Sequence, residues 1–289
     1  MRIDHARVAG HRIRYAIRSG DRERVPLLIL NGLGANIELA KPFIDALIGP
    51  AIVIFDVPGV GGSPTPPSPY RPSGVARLAA ELLDQLGYAR ADVLGVSWGG
   101  AIAQQFAFQY PSRCRRLVLA ATATGALMVP ASPSVLLKMM TPRRYLDASH
   151  AHKVAGDVYG GAFRRNPELV ARTFRHVRFS SKRGYYLQLA AALGWTSLPW
   201  LPLLRQPTLI MAGADDPLVP LVNARIMRWL IPDSRLEILD CGHLFLVTRP
   251  KESARIVESF LVQRRRQSES GSLLQGIADG AAVTMERRA

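Results

Sequence analysis

An α/β fold, built on a mostly parallel sheet with helices on both faces and carrying an inserted helical cap, follows from three observations on this chain. Short apolar runs alternate with stretches of helical periodicity from residue 12 to residue 121, the rhythm of successive strand-helix-strand units. Between residues 125 and 205 that rhythm gives way to amphipathic stretches broken at Pro130, Pro133, Pro142, Pro167 and Pro199. Strand character then resumes at residues 207–211.

Taken in order, residues 12–18, 26–30, 52–55, 92–94 and 117–121 read as strands, because each is a brief apolar run bounded by turn-forming residues. The stretches between them, 37–47, 75–86 and 101–110, repeat apolar residues at three- and four-residue spacing and read as helices, the third stopped by Pro111. After the insert, strands at 207–211 and 235–239 flank a helix at 222–230, and a last helix covers 252–265. The expected organisation is therefore a core of residues 1–124 and 206–266, a helical cap at 125–205, and a tail, 267–289. Few large apolar residues occur in that tail, too few to offset the entropy of ordering it, so disorder is expected there.

The 289 residues are 48% hydrophobic, enough for one large core. Met1-Arg2-Ile3-Asp4-His5 is too polar to begin a signal peptide, and neither end carries an apolar run of membrane-spanning length, so a soluble cytoplasmic protein is expected. Cys114 and Cys241 are the two cysteines, and their spacing suggests neither a disulfide framework nor a zinc site. Net charge is +15, and the cap holds much of it, with twelve Lys or Arg against Asp147, Asp157 and Glu168. Such a surplus reads either as a solvated helical surface or as an electrostatic docking face for an anionic surface. No nucleic-acid motif accompanies it, and nucleic acid is not an expected partner.

Gly95-Val96-Ser97-Trp98-Gly99 separates the strand at 92–94 from the helix at 101–110 and matches the nucleophile elbow G-x-S-x-G. Glycines flank the serine in such an elbow because the backbone is pinched into a strained strand-to-helix turn with no room for a Cβ. A serine hydroxyl is a feeble nucleophile, so it needs a base and a third group to orient that base. In the α/β-hydrolase fold the partners follow in the order Ser, Asp or Glu, His, at carboxyl ends of strands. Asp215-Asp216 follows the strand at 207–211 and His243 follows the strand at 235–239. Ser97, Asp216 and His243 are the candidate triad, with Asp215 and Asp240 as alternative acids. Asp216 is preferred for its G-x-x-D-x-x-x-P spacing through Gly213 and Pro220.

The oxyanion of the intermediate needs backbone donors from the residue after the nucleophile and from the loop after the strand at 26–30. Those are Trp98 and Leu33, the latter in Asn31-Gly32-Leu33-Gly34. A second glycine cluster, Gly59-Val60-Gly61-Gly62, lacks the last glycine of a dinucleotide fingerprint because Pro64 stands there, and no helix begins at it.

Three segments, Leu30-Asn31-Gly32-Leu33-Gly34-Ala35-Asn36, Phe55-Asp56-Val57-Pro58-Gly59-Val60-Gly61-Gly62-Ser63 and the elbow with Gly100, resemble the intracellular medium-chain-length polyhydroxyalkanoate depolymerases. The likeness continues through the cap at Tyr159-Gly160-Gly161-Ala162-Phe163-Arg164-Arg165 and Gly194-Trp195-Thr196-Ser197. It extends to Asp215-Asp216-Pro217-Leu218 and to Gly242-His243-Leu244-Phe245-Leu246, so it spans residues 12–262. The resemblance implies hydrolysis of a polyester stored in cytoplasmic granules, and substrate contacts from Asn31, Trp98, Trp195 and Leu244. It also implies that aromatic residues of the cap cover the cleft, that the protein sits at the granule surface, and that neither metal nor organic cofactor is needed. A general carboxylesterase or lactonase shares every catalytic residue. An acyltransferase could use the same acyl-enzyme, and His152-x4-Asp157 matches a short H-x4-D pattern.

Overall fold

Strands β1 (Arg2–Val8), β2 (His11–Arg18), β3 (Leu27–Leu30), β4 (Ile52–Phe55), β5 (Ala91–Val96), β6 (Cys114–Ala120), β7 (Thr208–Gly213) and β8 (Ser234–Leu239) form one sheet in the order β1-β2-β4-β3-β5-β6-β7-β8. The computed structural model describes residues 1–21, 23–175, 177 and 179–263. Arg178, the tail read from residue 267, and the end of the last helix read at 252–265 lie outside these residues. Pairing is antiparallel for β1 with β2 and β2 with β4, and parallel across the rest. Continuous apolar runs such as Leu27-Leu28-Ile29-Leu30 and Ile52-Val53-Ile54-Phe55 are buried at every residue, as expected for parallel strands covered on both faces.

Helices α2 (Pro72–Gln85), α3 (Trp98–Gln109) and α10 (Leu221–Leu230) pack on one face through residues that include Leu78, Leu82, Ile102, Phe106 and Met227. On the other face, α1 (Ile37–Ala46) and α12 (Pro250–Val262) bury Ile37, Phe43, Val257 and Phe260. Pro72 opens α2 at its first turn, where the missing N–H costs nothing. Helix α3 begins three residues earlier than its periodicity indicates, because Gly99 and Gly100 carry no apolar side chain to register in the pattern.

One strand, β1, escaped the sequence reading. Its residues Arg2 to Ala6 are exposed or half-buried at the edge of the sheet, where charges protect an unpaired edge and erase the apolar alternation. Between β6 and β7 run α4 (Pro133–Met139), α5 (Arg143–Leu146), α6 (Ala148–Tyr159), α7 (Gly161–Arg165), α8 (Leu169–Phe174) and α9 (Lys182–Ala192). They share a small core of their own, with Val154, Val158, Tyr159, Phe163 and Val170 among its members. A single bridge between Gly125 and Thr196 closes the base of this segment. Among the described residues, no helix is long and apolar enough to cross a membrane.

Candidate active site

The chain leaves β3 to form β4 on one side and returns to form β5 on the other, so the carboxyl ends of β3 and β5 mark the switch point where open α/β sheets bind ligands. Leu30 is level with Gly95 across the β3–β5 ladder, which sets the loop after β3 beside the elbow. A Cβ built on Gly32 would lie 3.4 Å from Ser97 Cβ and 3.9 Å from its hydroxyl oxygen.

Ser97 itself has φ 53° and ψ −119°, a conformation that costs a non-glycine residue on the order of 1–3 kcal/mol. The flanking glycines are required by the close approach of backbone on both sides of the serine. A Cβ on Gly95 would strike the first turn of α3, and one on Gly99 would strike the backbone of Leu30 and Asn31. The tight strand-to-helix turn leaves no room for a side chain at Gly95, and packing against β3 leaves none at Gly99.

His243 Nδ1 lies 2.8 Å from Asp216 Oδ2, and both side chains are almost fully buried. The other Asp216 oxygen accepts from the backbone N–H groups of Leu218 and Val219, at 2.9 Å each. Three acceptor positions thus fix the carboxylate. Asp215 is committed elsewhere: its oxygens take the Gly161 N–H and the Arg164 guanidinium, both at 2.7 Å. Asp240 is exposed. The structure therefore brings Asp216, and neither alternative acid, to the histidine.

Ser97 and His243 line one cleft. Its walls are mainly apolar, with Leu39, Phe43, Leu244 and Leu246 from the core and Tyr159 and Phe174 from the segment between β6 and β7. Leu33 also lines it. No acceptor within the described residues takes the Leu33 N–H, and Trp98 is the first residue of α3, where helical N–H groups have no intrahelical partner. Both amides are free to donate to an oxyanion, at the positive end of α3.

What holds these amides was not legible. Gln188 of α9 accepts from the Gly34 N–H through Oε1 at 2.8 Å, and its own carbonyl accepts from the Trp98 indole at 3.0 Å. Tyr145 donates its hydroxyl to the Leu33 carbonyl at 2.8 Å. Helix α9 thereby holds the Gly34 amide, next to Leu33, and the indole of Trp98, while α5 holds the Leu33 carbonyl. Gln188 is fully buried, but a lone glutamine in a helical pattern carries no sequence signal for such a role.

Of the residues read as substrate contacts, Asn31 and Leu244 line the cleft, and Asn31 Nδ2 also donates to the Asn36 carbonyl at 2.8 Å. Trp98 and Trp195 do not contribute side chains to it. Trp195 instead donates to Gln105 at 2.9 Å and packs edge-on against Trp200. Of the cap aromatics, Tyr145, Tyr159 and Phe174 reach the cleft. His152 is exposed on α6 and Asp157 pairs with Lys138 at 2.6 Å, so the H-x4-D pattern lies on the surface. Cys241 is buried and its thiol is pushed up to about 12 by that burial, which makes it a poor nucleophile. Among the described residues, no group of three or more His, Cys, Asp or Glu is arranged to hold a metal ion.

The insert meets the histidine loop along a backbone seam. His243 donates its N–H to the Tyr159 carbonyl at 2.8 Å. Gly160 has φ +60°, a Cβ on it would strike the Asp215 carbonyl, and a Cβ on Gly161 or Gly242 would collide with backbone across the seam.

An α/β-hydrolase fold family model matches residues 25–250. The poly(3-hydroxyalkanoate) depolymerase of Ectopseudomonas oleovorans is 56% identical over 257 residues, covering 89% of this chain and 91% of that protein. The chain belongs to the α/β-hydrolases, in the poly(3-hydroxyalkanoate) depolymerase family. A more distant family relative, 3-oxoadipate enol-lactonase 2 of Acinetobacter baylyi, is 27% identical over 247 residues, with 84% of this chain and 90% of that one covered. Among solved structures, an enol-lactonase from Burkholderia xenovorans superposes with a TM-score of 0.77 at 24% identity, covering 90% of this chain and 100% of the other. That likeness bears on the fold.

Proposed function

We propose that this chain is a serine hydrolase that cleaves the ester bonds of medium-chain-length poly(3-hydroxyalkanoate) and releases 3-hydroxy acids or oligomers. The observation that carries the reading is the 56% identity to a poly(3-hydroxyalkanoate) depolymerase over 89% of the chain. It is supported by a largely apolar cleft containing Ser97 and His243, with Asp216 behind the imidazole.

In this mechanism His243 takes the Ser97 proton as the hydroxyl oxygen attacks the ester carbonyl, and Asp216 holds the imidazole in the tautomer that can accept it. The Leu33 and Trp98 N–H groups stabilise the tetrahedral oxyanion. His243 then protonates the leaving alcohol, and water activated by the same histidine hydrolyses the acyl-enzyme. Asn31 and Leu244 border the bound chain. Residues 125–205 act as a cap over this site, separate from a core of residues 1–124 and 206–266.

The cap also suits a granule surface in the cytoplasm. Leu136, Leu137, Met140 and Leu146 are exposed on α4, α5 and the turn between them, in a segment with a large surplus of basic residues, a combination that favours an apolar surface bearing anions. Likeness to enol-lactonases keeps hydrolysis of small esters or lactones as a second reading. The deciding measurement is acid release from medium-chain and short-chain polyester by the wild type and Ser97→Ala. Faster release from the medium-chain polymer, lowered by at least about 10⁴-fold in the variant, supports the proposal. Turnover confined to small soluble esters would replace it with the second reading.

A further inference from the structure

Arg144 lies on the one-turn helix α5 and is 4% exposed, yet it lines the same cleft as Ser97 and His243. Its Nε donates to the Tyr159 hydroxyl at 3.1 Å, and Nη1 donates to the Tyr185 hydroxyl at 2.7 Å and to the Thr141 carbonyl at 3.3 Å. The guanidinium also stacks over Tyr145 and Tyr185, 4.5 and 5.3 Å from the ring centroids. Each of these partners is neutral. Burial holds both bonded phenols in the protonated form, with Tyr185 pushed up to about 12 and Tyr159 higher still. Among the described residues no carboxylate pairs with Arg144, and Nη2 has no protein acceptor.

An arginine remains charged in any protein environment, and a buried charge without a counter-ion is costly. No other Asp, Glu, Lys or Arg lines the cleft. The interior of a polyester chain is neutral, so its ester carbonyls can accept a hydrogen bond from this cation but supply no counter-charge. A free carboxylate does, and its position in the substrate follows from the chemistry. In a 3-hydroxyalkanoate chain the acyl side of any ester leads to the hydroxyl end, so the free carboxyl end always belongs to the leaving alcohol. When the terminal ester is cleaved, that carboxylate sits only two carbons from the leaving oxygen.

Building on the polyester reading, we propose that Arg144 binds the free carboxylate of the leaving 3-hydroxy acid through Nη2, so that the enzyme prefers the ester nearest the carboxyl end of a chain. Its role is in binding. The tyrosines orient the guanidinium and the substrate supplies the missing anion, in a low-dielectric cleft where a charge-assisted pair is strong.

The test compares the linear dimer of 3-hydroxyoctanoate as the free acid with the methyl ester of that dimer. For the wild type the free acid should be favoured by about tenfold or more in kcat/KM, chiefly through KM. Arg144→Gln should collapse that ratio toward unity, and Arg144→Lys should keep an intermediate ratio because it restores a point charge without the fork. Equal wild-type use of acid and methyl ester, or a Gln variant that keeps the ratio while losing activity on both, would overturn the proposal and leave the polyester reading intact. Inhibition of nitrophenyl ester turnover provides an arm that needs no polyester activity. There, 3-hydroxyoctanoate should inhibit the wild type more strongly than its methyl ester, and Arg144→Gln should remove the difference. If neither dimer is cleaved, the preference for the terminal ester is overturned, acid release from polymer decides the polyester reading separately, and this inhibition arm alone decides for or against the carboxylate site.

Discussion

The strand-end loops and the helices between β6 and β7 build opposite sides of one cleft by different means. In the loops, position is set by backbone: the β3–β5 register, a strained Ser97 and glycines packed against β3. In the helices, position is set by side chains, as Tyr145 and Gln188 reach down to the loop after β3. The loops carry groups common to serine hydrolases of this fold, whereas the helices carry Tyr159, Phe174 and Arg144, which shape what can enter. Under the proposed mechanism, chemistry and selectivity are encoded in separate stretches of the chain and meet in the cleft.

The sharpest way to break this division is at the paired acids. Asp216→Asn should lower kcat by about 10⁴-fold, as loss of the correct histidine tautomer does elsewhere, whereas Asp215→Asn should stay within about threefold, since it loses a half-exposed ion pair of little energetic worth. Steady-state kinetics on one soluble ester checks both, and an inverted order would move the orienting role to the insert-facing acid. Next in size is Gln188→Met. If the helices merely cover the cleft, this change should alter KM. If they hold the oxyanion peptides, kcat should fall by about 10- to 100-fold, below the full loss of a donor because the amides themselves remain. The smallest effect concerns the basic surface of the insert. Raising salt from 0.05 to 0.5 M should weaken granule binding several-fold through screening, leaving turnover of a soluble ester nearly constant; salt-independent binding would assign attachment to the exposed apolar residues instead.

Much of the core was legible because parallel strands buried on both faces must be apolar throughout, and because the elbow and the two later strand ends fall in a fixed order. Position along the chain singled out Ser97, Asp216 and His243 as candidates, and the structure brings Asp216 to His243 and sets Ser97 in the same cleft. Direction was not legible. The resemblance implies substrate contacts from Trp98 and Trp195, but their indoles turn to Gln188 and Gln105. Arg144 was counted with eleven other basic residues of the insert, and charge alone gives no sign of burial. The pattern Arg143-Arg144-Tyr145, with further tyrosines at 159 and 185, held the only hint, since phenols can house a guanidinium that lacks an acid. The edge strand β1 was missed because its polar residues serve an exposed margin rather than a core.

The seam between Tyr159, Gly160, Gly161 and Gly242 has a mechanical consequence. Main chain touches main chain there, with no side chain to act as a cushion, and the imidazole's own amide is one of the fastenings. The corner between α6 and α7 therefore cannot swing outward without dragging His243 off its post beside Asp216. If the proposed cap opens to admit a polymer, keeping this seam intact requires movement at the opposite rim, with the histidine side as the fixed jaw.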